Sequence, residues 1–300
     1  MLRGAKVRET LFKNERIKAI IFLVIASVLW STGGILIKLI DWNPIAIAGS
    51  RSLIASITVL LYLRKPKITF SKAQIGGAIS YAATVILFVT ANKLTTSANA
   101  ILLQYTAPVF VALLGVWILK EKIYNYDWIT IFVVLAGMVL FFVGDIDAGN
   151  VLGNILAVIS GFCLACVTVS LRFQRDGSPV ETAWLGNVIT FVIAIPFIFQ
   201  SSIDVKSIIG ILLLGVFQLG ISYILYALAI IHVTAIEAIL ITVIEPLLNP
   251  VWVFIFAGEK PGFFAFIGGL LVVASVTIRS VYVSRKINRM EGTESEDSVQ

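Results

Sequence analysis

The residue with the most distinctive chemistry in this sequence is Glu245, a carboxylate deep inside an apolar stretch. It lies ten residues into the apolar run 235–257. A helix rises about 1.5 Å per residue, so Glu245 is expected about 15 Å from the start of that run. If the run crosses a membrane, a carboxylate at this depth is costly and usually faces a cavity or a partner. Glu245 is therefore either a proton- or cation-responsive substrate-binding residue or a protonated, paired structural residue.

The neighbours of Glu245 share its helical face and interrupt its helix. Thr242 and Asn249 lie at i−3 and i+4, on the same side of a helix. Pro246 and Pro250 lack an amide hydrogen, and each leaves the carbonyl four residues earlier without its helical partner. Broken helices are tolerated at membrane depth where they line a cavity. Thr242 and Asn249 are therefore predicted to bind substrate together with Glu245.

A second polar patch lies in the apolar run 98–119, where Pro108 frees the carbonyl of Gln104 next to the phenol of Tyr105. Each polar side chain in an apolar run can also serve only to pack helices together. As a set, they are predicted to line one central substrate-binding cavity, whose aromatic members suit aromatic, aliphatic or cationic groups. The other midspan candidates for this cavity are Trp30, Tyr81, Gln218 and Tyr223.

Arg51 is a basic residue well inside an apolar run. It lies seven residues into the run 44–63, about 10 Å along a helix. Its side chain can extend outward to the membrane surface or form a pair inside the protein. An ion pair between Arg51 and Glu245, with a role in coupling, is one form of the second alternative. The sequence leaves both alternatives open.

Metal, redox and cofactor chemistry have little support. Cys163 and Cys166 form a CxxC motif inside an apolar run, but His232 is the only histidine and a zinc site needs about four ligands. The two cysteines are interpreted as small buried apolar residues. No metal or cofactor is expected, and no nucleotide-binding loop is found. The alternative function is an intramembrane enzyme acting on a lipid or peptide, which would need a buried histidine or paired carboxylates.

The composition places these residues in a membrane protein. Of the 300 residues, 59% are apolar and 13% charged, whereas a soluble domain carries roughly 25% charged residues. The net charge is +6, but the sequence offers no soluble basic face, so nucleic acid is not an expected partner. The apolar residues fall in blocks of about 20, the length of a membrane-spanning helix. They predict an all-α integral membrane protein with ten transmembrane helices, at 17–39, 44–63, 73–91, 98–119, 127–143, 151–171, 181–199, 207–231, 235–257 and 263–283.

The distribution of basic residues predicts the orientation of these helices. With the N-terminus in the cytoplasm, 18 of the 23 Lys and Arg residues fall on the inner side and four on the outer side, as the positive-inside rule requires. Both termini are therefore predicted to be cytoplasmic, in a multi-pass protein of the plasma membrane. Residues 1–16 form a basic cytoplasmic tail, and the polar residues 286–300 are predicted to be a disordered cytoplasmic tail.

An internal repeat relates the two halves of the chain. Shifted by 138 residues, segment 98–122 aligns with segment 236–260 at six identical positions, including a proline in the middle of each helix and a Glu-Lys pair at its end. These segments are the fourth and ninth predicted helices, so the repeat unit has five helices and the second copy is inverted. Inverted repeats permit alternating access to a central site. A duplication without a remaining mechanistic role is the alternative. The predicted repeats cover 17–143 and 151–283.

Four motifs carry a resemblance to a known family. They are Leu29-Trp30-Ser31-Thr32-Gly33-Gly34, Arg51, Ala107-Pro108-Val109-Phe110 through Lys120-Glu121, and Glu245-Pro246 through Gly258-Glu259-Lys260. In order and spacing the chain resembles the EamA-type ten-helix members of the drug/metabolite transporter superfamily, over residues 17 to 283. One departure is that the stretch of the second repeat near Gly186, which corresponds to Arg51, has no basic residue.

The resemblance implies five plus five inverted helices around a central cavity lined mainly by the first four helices of each half. It also implies that the substrates are amino acids, other small metabolites or drugs, often exported. Together with the repeat and the midspan polar residues, it predicts a secondary transporter that works by alternating access in a lipid bilayer. Protons are candidate coupling ions, and the protein is expected to be a monomer or a homodimer.

Overall fold

The chain folds into a bundle of helices, and every regular element in the described residues is helical. A computed structural model describes residues 2–143, 150–177, 179–199, 204–248, 252 and 263–297. We number the helices in chain order.

The first half of the chain contains seven helices. The first two, interrupted at Thr32, together form one apolar span, and the sixth continues into a wide π-helical turn. Their bounds are α1 Leu2–Ser31, α2 Gly33–Lys38, α3 Pro44–Leu63, α4 Lys72–Leu94, α5 Ser97–Gln104, α6 Ala107–Leu114 with its π-helical extension Gly115–Leu119, and α7 Asn125–Phe141.

The second half has the same kind of arrangement. A π-helical segment again occurs inside a long span, here between α10 and α11. The bounds are α8 Val151–Phe173, α9 Pro179–Ile198, α10 Val205–Leu213, the π-helical segment Leu214–Ile221, α11 Ser222–Ala229, α12 Ala235–Ile241, α13 at 244–248, and α14 Phe263–Asp297.

Eight segments of the described chain are long and apolar enough to cross a membrane, which makes this a multi-pass membrane protein. They correspond to eight of the ten predicted spans. The predicted span 127–143 coincides with the shorter apolar helix α7, of 17 residues. The predicted span 235–257 begins with α12 and α13, and most of its remainder lies outside the described residues. The eight are Asn14–Lys38, Pro44–Leu63, Lys72–Leu94, Asn99–Leu119, Val151–Phe173, Pro179–Ile198, Val205–Ala229 and Phe263–Lys286.

The starts of several helices are set by short polar side chains at the N-cap. Such residues accept a hydrogen bond from a free amide in the first turn. Asp204 accepts one from the amide of Ser207 at 2.8 Å, and the hydrogen bonds from Ser207 lower the pKa of this exposed carboxyl. The other N-caps of this kind are Asn43, Ser71, Thr96, Asn150 and Thr234.

The centre of the bundle is formed by α3, α4, α8 and α9. Helix α4 packs along α8 and α9, and α3 packs along α9 and the π-helical segment Leu214–Ile221. Helices α7 and α14 pack mainly against each other, in keeping with the peripheral fifth and tenth helices that the resemblance implies. Large apolar side chains such as Trp117 and Phe132 are exposed on the outside, as expected of helices that face lipid.

Helix α14 runs into the segment 286–300, which was predicted to be a disordered tail. Helix α14 continues to Asp297, and residues 298–300 lie outside the described residues. Nucleation is the costly step in helix formation, and extending an existing helix adds one hydrogen bond per residue. Because no proline interrupts the chain after Phe263 in this helix, the polar segment extends the apolar one.

Candidate functional site

Two broken helices meet inside the bundle, within one residue of the positions that the internal repeat aligns. In the first half, α5 ends at Gln104 and α6 begins at Ala107. In the second half, α12 ends at Ile241 and helical structure resumes at residue 244. A proline follows each break, at Pro108 and Pro246. The breaks therefore agree with the expectation that these prolines free backbone carbonyls.

The freed carbonyl of Thr242 has a partner from the other half of the chain. The hydroxyl of Tyr105 lies 2.7 Å from the Thr242 carbonyl oxygen and 2.6 Å from Oε2 of Glu245. Tyr105 thus contacts the broken helix of the second repeat at both its carbonyl and its carboxyl group. The sequence predicted all three residues as site residues but gave no reason to expect this contact.

The contacts of Tyr105 bear on whether the Glu245 carboxyl group is protonated. A tyrosine hydroxyl carries a single hydrogen and can also accept a hydrogen bond. It therefore donates to the Thr242 carbonyl or to the Glu245 carboxylate, but not to both. Both contacts are satisfied together when Glu245 is protonated and donates to the Tyr105 oxygen, which then donates to Thr242.

Gln104 is held by α8 and α4. Its side-chain amide donates to the Ser160 hydroxyl at 2.8 Å, and Ser160 donates to the Thr84 carbonyl at 3.1 Å. The Gln104 backbone carbonyl packs against Gly161, where a Cβ would lie 2.5 Å from the oxygen. Gly161 therefore permits α8 to approach the break in the first half. Ser160 was missed from the sequence because serine is common at helix contacts.

Arg51 lies inside the protein and does not extend to the surface. Its side chain is 1% exposed, and Nη1 donates to Oε1 of Gln218 at 3.0 Å. The structure gives it no ion pair with Glu245, although both residues line the same cavity. Gln218 holds the guanidinium and Tyr105 holds the carboxyl group, so each side chain already has a different partner.

The aromatic candidates form one cluster. The ring centroid of Tyr223 lies 4.5 Å from that of Tyr81 and 5.0 Å from that of Trp30. The Tyr81 hydroxyl accepts a hydrogen bond from the Asn187 amide at 2.8 Å. Tyr226 joins the cluster, 5.1 Å from Trp30, and was missed from the sequence. Its position three residues after Tyr223, on the same helical face, was the available signal.

The candidate site is a small cavity between these groups. Its volume is about 40 Å³, enough for a few water molecules and too small for an organic solute. Of the predicted site residues, Tyr81, Tyr105 and Thr242 contact or adjoin the lining, and Asn249 lies outside the described residues. Thr84, Val85, Phe88 and Leu164 were not predicted, since such side chains are ordinary in an apolar helix. The described lining consists of Trp30, Arg51, Thr84, Val85, Phe88, Gln104, Leu164, Gln218, Tyr223 and Glu245.

A second group of polar contacts closes one end of the bundle. Arg172 forms an ion pair with Glu121 at 2.8 Å and donates to the carbonyls of Ile230 and Ile231. The other carboxylate oxygen of Glu121 accepts from the amide of Ala235 at 3.1 Å. These contacts join segments that the sequence predicts to lie on the cytoplasmic side of the membrane. Nothing in the sequence indicated this pairing.

The N-terminal helix contributes a further contact at the same end. Arg16 and Glu237 form an ion pair at 2.6 Å, which links α1 to α12. The Glu237 side chain is 4% exposed and that of Arg16 is 17% exposed. The start of the second broken helix is therefore held from two sides, by α1 and by the segment around Glu121.

Comparison with known proteins assigns the chain to a family. The EamA-like transporter family matches residues 17–143 and 151–281. An uncharacterized transporter of Archaeoglobus fulgidus is 25% identical over 282 residues, which are 86% of this chain and 96% of that protein. The uncharacterized transporter YdfC of Bacillus subtilis is 26% identical over 282 residues, 87% of this chain and 89% of its own length.

One solved crystal structure shares the fold. It superposes with a TM-score of 0.73, covers 89% of this chain and 98% of its own, and is 17% identical in sequence. At that identity the likeness concerns the fold alone. The family match covers both halves of the chain, in agreement with the resemblance found in the sequence. This chain belongs to the EamA-like transporter family, in the drug/metabolite transporter superfamily.

Proposed function

We propose that this protein is a secondary transporter that exports small metabolites, such as amino acids or drug-like organic compounds, by alternating access around the central cavity. The proposal rests above all on the contact of Tyr105 with Thr242 and Glu245. This contact joins the two broken helices at the wall of the cavity. Any movement of one half relative to the other must therefore change the surroundings of Glu245.

The proposed architecture is ten helices in two inverted repeats of five, over 17–143 and 151–283. Two observations support it: the breaks at aligned positions, and a family match that falls on the same two halves. In this arrangement α7 and the span 235–257 are the fifth and ninth helices. Five helices per repeat place the second copy in the opposite orientation, as alternating access by inverted repeats requires.

Both termini are proposed to be cytoplasmic, with the protein in the plasma membrane. The charge distribution supports this orientation. The contacts support it as well, because Arg172 and Glu121, both assigned to the inner side, pair with each other. Lys38 and Lys93, both assigned to the outer side, also lie close together. Lys38 donates to the Thr95 carbonyl, and Lys93 donates to the Ile40 carbonyl.

Substrate is proposed to bind in the central cavity after the protein opens to one side. The cavity of about 40 Å³ is the closed form of this site. The proposed binding residues are those predicted from the sequence, with Glu245 as the residue that responds to protons. Loss of its hydrogen would leave the Tyr105 hydroxyl shared between two acceptors, which favours a different arrangement of the second break. The binding set is Trp30, Tyr81, Gln104, Tyr105, Gln218, Tyr223, Thr242, Glu245 and Asn249.

Flux measurements on full-length protein in proteoliposomes test the proposal. Liposomes are loaded with pooled metabolites, and efflux is followed with and without a pH gradient. We expect at least one compound to leave these liposomes faster than it leaves loaded liposomes that contain no protein. Glu245→Gln is expected to lower the flux about tenfold or flatten its pH dependence at an unchanged melting temperature, because it keeps size and hydrogen bonding without titrating.

Glu15→Gln is the matched control, since the Glu15 side chain is 46% exposed and lies away from the cavity. It should leave flux and pH dependence unchanged. If no pooled compound crosses faster than in protein-free liposomes, the transport proposal fails. If Glu245→Gln transports as the wild type does at every pH tested, the role of Glu245 fails.

A further inference from the structure

The guanidinium of Arg51 is buried at the cavity wall with unused hydrogen-bonding capacity. The side chain is 1% exposed, and the hydrogen bond from Nη1 to Gln218 is 3.0 Å long. Nε is buried and has no hydrogen-bond partner among the described residues. A guanidinium carries five N–H donors and keeps its charge under all ordinary conditions. Most of its donors are therefore available to a ligand.

The charge of Arg51 is also uncompensated in the part of the chain that the structure describes. None of the ion pairs found there includes Arg51. Glu245 lines the same cavity but contacts Tyr105 instead. Buried charges in proteins are paired or hydrogen-bonded, and charged residues inside membrane spans mark substrate or ion pathways. An unpaired guanidinium on a cavity wall is therefore suited to bind an anion.

Gln218 fixes the orientation of this guanidinium. Its amide packs against Gly33, where a Cβ would lie 2.9 Å from Nε2. Because Gly33 lacks that atom, Gln218 fits between α2 and Arg51 and points its Oε1 at Nη1. The site is thus built from three elements of the fold: α2, α3 and the π-helical segment Leu214–Ile221.

The remaining cavity wall indicates which class of anion fits. It is mostly aromatic and aliphatic, with Trp30, Phe88, Tyr223, Val85 and Leu164. Such a wall gains from contact with hydrocarbon and gains little from a fully hydrated inorganic ion. The planar fork of a guanidinium matches a carboxylate, with which it forms two parallel hydrogen bonds.

We propose that Arg51, oriented by Gln218, binds the carboxylate group of a small organic acid or amino acid in the central cavity. The inference rests on the proposed function, since it takes this cavity to be the substrate site. It adds the group that the substrate must carry and the residue that recognises it. Gln218 acts as a positioning residue, and the aromatic wall holds the organic part.

Binding to purified full-length protein in detergent tests this inference without any transport step. The probes are two matched pairs, phenylacetate with phenylacetamide and L-phenylalanine with L-phenylalaninamide, titrated by calorimetry. We expect the wild type to bind each carboxylate at least about tenfold more tightly than its amide. Arg51→Gln should abolish that preference. Arg51→Lys should keep part of it, because an ammonium group lacks the planar fork.

Arg175→Gln is the matched control, because the Arg175 side chain is 51% exposed and lies outside the cavity; it should bind as the wild type does. Gln218→Met provides a second variant in case Arg51→Gln does not fold, and it should weaken carboxylate binding more than amide binding. Equal affinity for both members of each pair, or no carboxylate binding, overturns the inference. Sulfate bound as tightly as phenylacetate overturns the assignment to an organic carboxylate.

Flux measurements separate a failure of this inference from a failure of the proposed function. Transport of neutral or cationic compounds with no preference for carboxylates would overturn the role of Arg51 and leave the transport proposal standing. A carboxylate preference in binding that depends on Arg51, with no flux of any pooled compound, would support the subsite and overturn the transport proposal.

Discussion

The hydroxyl oxygen of Tyr105 lies 2.6 Å from Oε2 of Glu245, and this contact joins the broken helices of the two halves. It spans 140 residues of sequence. Tyr105 lies in the break of the first half, and Glu245 lies in α13, directly after the break of the second half. A change in the hydrogen bonds at one break therefore changes the hydrogen bonds at the other.

Tyr105→Phe is expected to destabilise the protein and to change the pH dependence of flux. It removes the hydrogen bond that Tyr105 makes with the Glu245 carboxyl group, and it takes one of two partners from the Thr242 carbonyl, which also accepts from the Glu245 amide. A buried polar group left without its partner costs about 1–3 kcal/mol, so the melting temperature should fall. Tyr124→Phe, at a tyrosine that is 41% exposed, should change neither measurement.

The double variant Tyr105→Phe with Glu245→Ala, in which each single change removes the hydrogen bond, measures the coupling directly. Side chains in contact show non-additive effects, whereas distant ones add. We expect the double variant to lose less stability than the sum of the two single losses. Strictly additive losses would show that the 2.6 Å contact contributes nothing to stability.

Glu121→Gln is expected to loosen the inner end of the bundle. Glu121 pairs with Arg172 and also accepts from the amide of Ala235, and both charged side chains are largely buried, at 17% and 11% exposure. Hydrogen bonds to charged groups contribute about 1.5–3 kcal/mol. Thermal unfolding in detergent should show a lower melting temperature. Asp176→Asn is the comparison, because the Arg175–Asp176 pair is exposed and contributes about 0–1 kcal/mol.

Asp127→Asn is expected to lower stability without altering binding at the cavity. Asp127 and Arg279 pair at 2.7 Å with side chains only 2% and 5% exposed, and they join α7 to α14. Removing one partner of a buried pair costs about 3–5 kcal/mol. Melting temperature and calorimetric binding of phenylacetate on one preparation measure the two effects. A variant that melts like the wild type, or that loses binding while still folded, contradicts this peripheral role.

The orientation in the membrane is tested by labelling introduced cysteines. Both native cysteines are free, so Cys163→Ala and Cys166→Ala provide the background. A cysteine replacing Asp147 should react with a membrane-impermeant maleimide added outside intact cells. A cysteine replacing Arg64 should react only after the membrane is opened. The reverse pattern would place the termini outside.

Much of the site could be predicted because its chemistry stands out against an apolar background. Glu245, Gln104 and Gln218 are polar side chains in spans where nearly every neighbour is apolar. The breaks were predictable because proline cannot donate a helical hydrogen bond. These signals are local, and each can be found within a few residues of sequence.

The partners of these residues were not predictable, because they depend on how helices pack. The bond between Arg51 and Gln218 joins residues 167 positions apart, and only the rotation of α3 in the bundle decides between burial and extension to the surface. Ser160 and Tyr226 likewise belong to the site only because of the residues they contact, Gln104 and Trp30. Composition alone also ignores the helix that precedes the tail after residue 285.

The π-helical segment Leu214–Ile221 determines which side chains can act together. Gln218 and Tyr223 are five positions apart, and in an α-helix such residues point about 140° away from each other. Gln218 lies in the π-helical segment, whose hydrogen bonds run between residues i and i+5, and Tyr223 lies in α11, two residues after its end. The wider turn brings the two side chains closer to one face. Both side chains reach the cavity because the helix is wound more loosely here. Deleting a single residue from this segment is expected to restore tighter winding and to turn Gln218 away from Arg51, so the proposed carboxylate subsite depends on the number of residues in one turn of helix.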